Sequence, residues 1–73
     1  MIKTILITGA SSGIGKATAL YFQSKGWNVV ATMRNPDSAS ELKQLDHVFI
    51  VPMDVLDLNS IDQAIHLGIN HFG

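Results

Sequence analysis

The sequence predicts an α/β fold with a parallel sheet whose strands alternate with helices. Three short segments are almost continuously apolar, which is the pattern of strands buried on both faces of a sheet. Each is followed by a segment compatible with a helix, and the first and last of these have apolar residues at helical spacing. This strand–helix alternation favours right-handed crossovers and a doubly wound arrangement.

The first strand is expected over residues 2–8, centred on Ile5-Leu6-Ile7. The helix after it should end near Gly26, because glycine commonly terminates a helix in the left-handed conformation. Trp27, directly after this glycine, is expected to pack at the corner between helix and strand. Four apolar residues of the helix are expected to face the sheet: Ile14, Ala17, Leu20 and Tyr21.

The second strand is expected over residues 28–33, and a turn follows over residues 34–37, where a proline suits a first helical turn. A short, weak helix is expected over residues 38–45. The third strand is expected over residues 47–51. It should be closed by Pro52, because proline cannot donate to a strand ladder.

The last helix is expected to begin after Asp57, whose side chain can cap the first turn. Its stripe toward the sheet comprises Ile61, Ala64, Ile65, Gly68 and Phe72. The sequence stops at Gly73, where this helix should lead into a fourth strand. No linker or internal repeat divides the sequence, so residues 1–73 are interpreted as one partial domain.

Length and composition argue against several classes of protein. The 73 residues contain no cysteine, so neither a disulfide nor a thiolate metal site is possible within them. Apolar residues make up 47% and charged residues 15%, which is too apolar for a disordered tail. A net charge of −1 gives no electrostatic case for nucleic acid, and the apolar runs are too short to cross a membrane. We expect a cytoplasmic protein with neither of these partners.

A glycine-rich loop joins the first strand to the first helix. Gly9 is expected to turn sharply out of the strand, Gly13 to let a ligand approach the backbone, and Gly15 to let the helix pack closely. A helix start binds phosphate through its unpaired N–H groups and its dipole, and Ser11 and Ser12 add hydroxyl donors. Gly13→Val should therefore block a phosphate with little effect on stability. The alternative interpretation is that these glycines only form a tight turn.

The run Thr8-Gly9-Ala10-Ser11-Ser12-Gly13-Ile14-Gly15 has the form TGxxxGxG and resembles the glycine motif of the short-chain dehydrogenase/reductase family. Asp54-Val55 resembles the family's Asp-Val pair after the third strand, whose acid hydrogen-bonds the adenine amino group. The resemblance extends over the whole chain but covers only the amino-terminal part of a family member. It implies a Rossmann-type NAD(P)-binding segment with these cofactor-binding residues: Gly9, Ser11, Ser12, Gly13, Ile14, Gly15, Asp54 and Val55.

The position of Arg34 indicates which nicotinamide cofactor is bound. NAD-specific sites place an acid at the end of the second strand, about 20 residues past the glycines. Met33 and Arg34 stand 18 and 19 positions past Gly15, and no acid occurs between Gly15 and Asp37. An arginine there offers a planar, bidentate donor to a 2′-phosphate. We therefore expect NADP(H) in preference to NAD(H); the alternative is that Arg34 is only a solvated residue at a strand end.

The resemblance implies hydride transfer between a nicotinamide cofactor and a carbonyl or alcohol substrate in a complete, homo-oligomeric enzyme. No residue here corresponds to the family's catalytic asparagine, serine and Tyr-x-x-x-Lys pair, so none is assigned as catalytic. Tyr21 and Lys25 match the pair by letter only, since they belong to the first helix. His47, His66 and His71 lack the spacing of helical metal ligands, so no metal site is expected. Two alternatives stay open: a non-catalytic dinucleotide-binding or sensing module, and an inactive truncated product.

Overall fold

The computed structural model describes residues 2–38 and 40–73. Its elements, in chain order, are β1 (Thr4–Ile7), α1 (Gly13–Ser24), β2 (Asn28–Met33), a 3₁₀ turn (Pro36–Ser38), α2 (Ser40–Lys43), β3 (Val48–Pro52) and α3 (Leu58–Phe72). Within the described residues, the strands form one parallel sheet in the order β1-β2-β3. The predicted α/β fold, the beginning of a Rossmann-type sheet, is confirmed.

Helices cover both faces of the sheet. On one face, Ala19 of α1 and Leu42 of α2 are buried in a cluster that includes Ala31 of β2. On the other face, Ala64 of α3 is buried in a cluster that includes Val30. Successive residues of β2 thus enter opposite layers, which explains why this strand has no polar alternation. None of the helices in the described ranges is both long and apolar enough to cross a membrane.

The face that α1 turns to the sheet differs from the predicted one. The four residues expected there are exposed: Ile14, Ala17, Leu20 and Tyr21. Ala19 is buried instead, with Phe22 partly buried beside it. Gly15 sets this rotation, because a Cβ atom on it would lie 2.9 Å from the carbonyl oxygen of Thr8. Since Ala19 and Phe22 follow Gly15 by four and seven positions, they share its face of the helix.

Gly26 ends α1, as predicted, with a φ of 86°. The N–H groups of Gly26 and Trp27 donate to the carbonyl oxygens of Gln23 and Phe22, each at 3.1 Å. This pair of bonds is the Schellman motif, in which the two flanking apolar residues commonly touch. The rings of Phe22 and Trp27 do so, with their centroids 4.8 Å apart. The predicted packing of Trp27 at this corner is therefore confirmed.

The second strand has its predicted bounds, whereas the other two differ slightly. Strand β1 is shorter than residues 2–8. Strand β3 begins after His47, whose φ of 67° is left-handed and interrupts the extended backbone. It includes Pro52, which pairs with Met33. A proline is tolerated there because β3 lies at the edge of the described sheet and its outer side has no strand to bond.

The segment between β2 and β3 is less helical than predicted. Instead of one helix over residues 38–45, the chain forms the 3₁₀ turn and the single-turn helix α2. Ala39, between them, lies outside the described residues. The N–H of Asp37 donates to the side-chain oxygen of Asn35 at 3.1 Å, which starts the turn locally.

Asp57 caps α3 as predicted. Its Oδ1 accepts hydrogen bonds from the backbone N–H groups of Asn59 at 3.0 Å and Ser60 at 3.4 Å. Farther along, a Cβ atom on Gly68 would lie 2.8 Å from Cγ2 of Val30, so the helix packs tightly on β2 at this point. Four residues of the predicted stripe are buried or half-buried: Ile61, Ala64, Gly68 and Phe72. The fifth, Ile65, is exposed.

Candidate cofactor-binding cleft

A cleft of about 420 Å³ opens at the carboxyl ends of the strands. Open α/β sheets hold their ligands in a crevice at this edge. The lining residues come from the loop after β1, the end of β2 and the segment after β3: Thr8, Gly9, Ser11, Met33, Arg34, Asn35, Met53 and Val55. Gly9, Ser11, Arg34 and Val55 are sequence-predicted site residues. Thr8 begins the TGxxxGxG run but was not itself predicted as a site residue. Asn35 and Met53 were not predicted, since nothing in their side chains signals a nucleotide.

Two glycines shape the loop between β1 and α1. Gly9 and Gly13 have φ values of 61° and 59°, in the left-handed region that favours glycine. A Cβ atom on either would meet nothing within 4 Å, so the backbone there is open to a ligand. The left-handed φ corrects one expectation: valine at position 13 would not leave stability unchanged, because a β-branched residue is strained in this conformation.

The first turn of α1 presents hydrogen-bond donors to solvent. Ser12 is the N-cap residue, and its hydroxyl makes no capping hydrogen bond within the described residues. The first N–H groups of a helix have no partner in the helix itself, and no acidic residue occupies this turn. Ser12, Gly13 and Ile14 are exposed, Ile14 to 87%. The turn therefore offers unpaired donors and the positive end of the helix dipole beside Ser11.

Arg34 and Asp54 form an ion pair beside the cleft. Nη2 of Arg34 lies 3.8 Å from Oδ2 of Asp54, and the two side chains are 76% and 40% exposed. An exposed pair of this kind contributes about 0–1 kcal/mol to stability, so it does little to hold the fold together. It does connect the residues that follow β2 and β3. The sequence predicted each residue separately but not their contact.

Asp54 is held in place by the start of α3. Its Oδ1 accepts a hydrogen bond from the N–H of Leu56 at 3.0 Å, and its own N–H donates to Oγ of Ser60 at 2.8 Å. Its carbonyl oxygen accepts from the N–H of Asp57 at 3.0 Å. Ser60 was missed in the sequence. The signal that could have found it is its position three residues past the capping aspartate, where side chains bond back to the chain before the helix.

Buried side chains form the base of the cleft. Met33 and Met53 are 3% and 5% exposed, and the N–H of Met53 donates to the carbonyl oxygen of Met33 at 2.9 Å. Nearby, the buried hydroxyl of Thr32 donates to the carbonyl oxygen of Ile7 at 2.7 Å. The N–H of Ala10 donates to the carbonyl oxygen of Thr32 at 3.0 Å. These bonds continue the strand pairing past the strand ends and fix the loop relative to β2.

Tyr21 and Lys25 lie away from the cleft. Tyr21 lies in the second half of α1 and Lys25 directly after it, about 12 and 18 Å along the helix axis from Gly13 at its amino end. The side chain of Tyr21 is 57% exposed, which corrects the expectation that it faces the sheet. Nζ of Lys25 lies 5.5 Å from the centroid of the Tyr21 ring. The pair thus makes a surface contact of its own.

The histidines make local contacts. Nδ1 of His47 lies 3.1 Å from Oδ1 of Asn28. Nε2 of His66 lies 3.4 Å from Oδ1 of Asp62, one helical turn before it. The ring of His71 stacks on Phe49 with centroids 3.9 Å apart. Over residues 2–38 and 40–73, no three histidine, aspartate or glutamate side chains cluster in a way that could hold a metal ion.

Comparison with known proteins identifies the family. A family model described as short chain dehydrogenase matches residues 3–73, which is nearly the whole chain. The chain belongs to the short-chain dehydrogenase family. The resemblance inferred from the glycine motif and the Asp-Val pair is therefore confirmed.

Individual short-chain dehydrogenases match over almost the same length. One from Penicillium crustosum is 39% identical over 72 residues, which are 97% of this chain and 27% of the relative. Serine 3-dehydrogenase of Agrobacterium fabrum is 41% identical over 69 residues, 89% of this chain and 27% of the relative. This chain thus spans about a quarter of the length of these relatives.

Solved structures of short-chain dehydrogenases share the fold. The 3-ketoacyl-(acyl-carrier-protein) reductase of Brucella melitensis, complexed with NADH, superimposes with a TM-score of 0.90 at 32% identity, over 97% of this chain and 30% of the reductase. A short-chain dehydrogenase/reductase of unknown function from Caenorhabditis elegans, solved with cofactor, gives a TM-score of 0.86 at 37% identity, over 97% of this chain and 29% of that protein.

Proposed function

We propose that this chain is the NADP(H)-binding segment of a short-chain dehydrogenase/reductase that interconverts a carbonyl and an alcohol by hydride transfer. The observation that supports this most directly is the cleft at the strand ends. There, the loop that carries two left-handed glycines adjoins the segments that follow β2 and β3. The loop leads into the start of α1, whose N-cap side chain makes no capping hydrogen bond within the described residues. Family membership and cofactor-bound neighbours support the same reading.

The residues around the cleft suit the parts of a dinucleotide. The backbone from Gly9 to Gly15 and the hydroxyls of Ser11 and Ser12 would hold the pyrophosphate, because they offer donors at a positive helix end. Ile14, exposed on the first turn, would contact the cofactor beyond the phosphates. Asp54 and Val55 would hold the adenine, the carboxylate accepting from its amino group. The nicotinamide, when bound, supplies or accepts the hydride.

The preference for NADP(H) rests on Arg34 and Met33. A guanidinium at the cleft can bind a 2′-phosphate with two charge-assisted hydrogen bonds, whereas a methionine offers the ribose hydroxyls only a weak acceptor. The Brucella reductase is complexed with NADH, so the family neighbours do not by themselves indicate NADP(H). Here the side chain of Arg34 is 76% exposed and therefore accessible to a ligand.

The reaction itself belongs to the complete protein. We assign no catalytic residue to residues 1–73, which we regard as one partial NAD(P)-binding domain. In the complete protein, the remaining chain would supply the acid/base and substrate contacts. We propose that the complete enzyme is cytoplasmic and homo-oligomeric, as the family resemblance implies.

Cofactor kinetics of the full-length protein test the proposal. The ratio of kcat/KM for NADPH to that for NADH should exceed one. A charge-assisted hydrogen bond contributes about 1.5–3 kcal/mol, so Arg34→Ala should lower this ratio by roughly ten- to hundredfold. Adding Met33→Asp should reverse the preference by supplying an acceptor for the ribose hydroxyls, at a cost in stability because the side chain at this position is buried. Lys25→Ala, which removes a cation at the far end of α1, is the matched control and should leave the ratio unchanged.

The outcomes separate the parts of the proposal. A wild-type ratio below one, or one insensitive to Arg34→Ala, would refute the NADP(H) preference and leave dinucleotide binding in place. Binding of NADPH without turnover of any carbonyl or alcohol would point to a non-catalytic module. Failure to bind either nucleotide would refute the cleft as a cofactor site.

A further inference from the structure

We propose that Asp54 is a specificity-determining residue that competes with the 2′-phosphate of the cofactor for Arg34. The inference rests on the proposed function and adds to it. Beyond accepting from adenine, the Asp54 carboxylate would hold the arginine in the free protein. It would thereby limit the advantage of a 2′-phosphorylated ligand over one without that phosphate.

The two partners of the ion pair are unequally constrained. Asp54 is fixed through its side chain, its N–H and its carbonyl by hydrogen bonds to Leu56, Ser60 and Asp57. Arg34 is a long side chain, 76% exposed, on the bend that follows β2. The pair thus consists of a stationary anion and a cation that can move. A ligand is therefore expected to displace the arginine and not the aspartate.

The two carboxylate oxygens of Asp54 have different partners. Oδ1 accepts the N–H of Leu56, whereas Oδ2 is the oxygen that faces Nη2 of Arg34 at 3.8 Å. At that separation the contact is an ion pair longer than a good hydrogen bond. A phosphate dianion that offers Arg34 closer, bidentate contacts would be the stronger partner. Its binding would move Arg34 away from Asp54.

The ion pair affects nucleotides with and without a 2′-phosphate differently. A nucleotide with a 2′-phosphate must break the Arg34–Asp54 pair before it gains the arginine. A nucleotide without that phosphate leaves the pair intact. The cost of breaking the pair therefore falls on the phosphorylated ligand alone. Removing the charge of Asp54 should raise the preference for that ligand, although Asp54 itself touches no phosphate in this scheme.

The test is equilibrium binding of two probes to the full-length protein. Adenosine 2′,5′-bisphosphate and adenosine 5′-monophosphate differ only in the 2′-phosphate. Asp54→Asn retains an oxygen that can accept from Leu56 and from adenine, while it removes the charge. Because exposed ion pairs are weak, we expect the affinity ratio of the bisphosphate to the monophosphate to rise by about two- to fivefold. The rise should shrink at high salt.

A double-mutant cycle separates competition from a simple field effect. In an Arg34→Ala background, Asp54→Asn should leave the ratio unchanged, because there is no arginine to release. If the same rise persists without the arginine, the carboxylate only repels the phosphate and the proposal is overturned. Asp62→Asn removes an equal charge from the exposed face of α3 and should have no effect in either background. Far-UV circular dichroism and melting of each variant confirm that the fold is retained.

The remaining outcomes fall into two groups. A ratio that is unchanged or lowered by Asp54→Asn overturns the competition while the cofactor site stands. If wild-type protein binds neither probe, or binds both equally, the proposed NADP(H) site fails and this inference fails with it.

Discussion

Helix α1 approaches the preceding loop so closely at Gly15 that a Cβ atom there would overlap the carbonyl oxygen of Gly9. The same atom would lie 2.7 Å from the carbonyl carbon of Gly9, which is backbone and cannot rotate away. This one contact fixes both the rotation of α1 and the shape of the loop that edges the cleft.

The first prediction is that Gly15→Ala lowers stability even though alanine is the better helix former. Over-packing of this kind costs about 1–3 kcal/mol, which outweighs a gain in helix propensity of about 1 kcal/mol or less. The denaturant midpoint of the full-length protein measures the effect. Ala17→Ser, on the exposed face of the same helix, is the control and should shift stability by no more than about 0.5 kcal/mol. A Gly15→Ala variant as stable as wild type would show that the loop adjusts freely.

The second prediction concerns the left-handed glycine at the start of α1. Gly13→Val should lose about 1–2 kcal/mol of stability from its φ alone, in addition to losing cofactor binding. Gly13→Asn should be better tolerated, because asparagine adopts this conformation more readily. Its side chain should still obstruct the phosphate and weaken dinucleotide binding by about tenfold or more, the value of one charge-assisted contact.

Gly26→Asn is the matched control for this loop. Gly26 has a φ of 86° and lies at the opposite end of α1, with nothing within 4 Å of an added Cβ. Its variant should show a comparable change in melting temperature and unchanged binding in calorimetry. Normal dinucleotide binding by Gly13→Asn would argue against phosphate contact at this loop.

The third prediction concerns the cap of α3. Asp57→Ala removes the acceptor of two backbone N–H groups and should cost about 1 kcal/mol, measured by chemical unfolding. Asp57→Asn should retain most of that stability, because its oxygen can still cap. Asp62→Ala removes the same charge from the second turn of α3 and should have little effect. Equal losses from Asp57→Ala and Asp62→Ala would indicate a general charge effect and not a cap.

The fourth prediction is that residues 1–73, produced alone, associate or are only marginally stable. Strand β1 lies at an edge of the described sheet, and beside it an apolar groove of about 350 Å³ runs between β1 and α3. Ile65 and Ile69 on the rim of this groove are 44% and 59% exposed. An unpaired strand edge next to exposed apolar side chains favours pairing between chains. Sedimentation and thermal melting at micromolar concentration test this, and a cooperatively melting monomer would contradict it.

The elements that could be predicted from the sequence depend on local chemistry. Gly26 ends α1 and Asp57 begins α3 because a left-handed glycine and a capping carboxylate act on the residues next to them. Strand β2 could be predicted with its bounds because an apolar run with no polar alternation fits a strand buried on both faces. The same residues would make these structures in many folds.

The features that could not be predicted depend on contacts between distant residues. The prediction of which face of α1 packs on the sheet was wrong, because apolar residues occur on both sides of that helix. Only the close approach of Gly15 to Gly9 selects the face that packs. The ion pair of Arg34 and Asp54 joins residues 20 positions apart. Neither the approach of Gly15 to Gly9 nor this ion pair produces a periodic pattern in the sequence.

The corner where α1 meets β2 gives this segment its own optical probe. Trp27 is the single tryptophan of the 73 residues and packs on Phe22 at the amino end of β2. The cleft lies at the carboxyl end of the same strand, about 20 Å away for six residues. The fluorescence of Trp27 therefore reports the docking of α1 on the sheet, from a side chain that would not contact a bound nucleotide. Unfolding of the segment can be followed at this corner from a side chain that does not line the cleft.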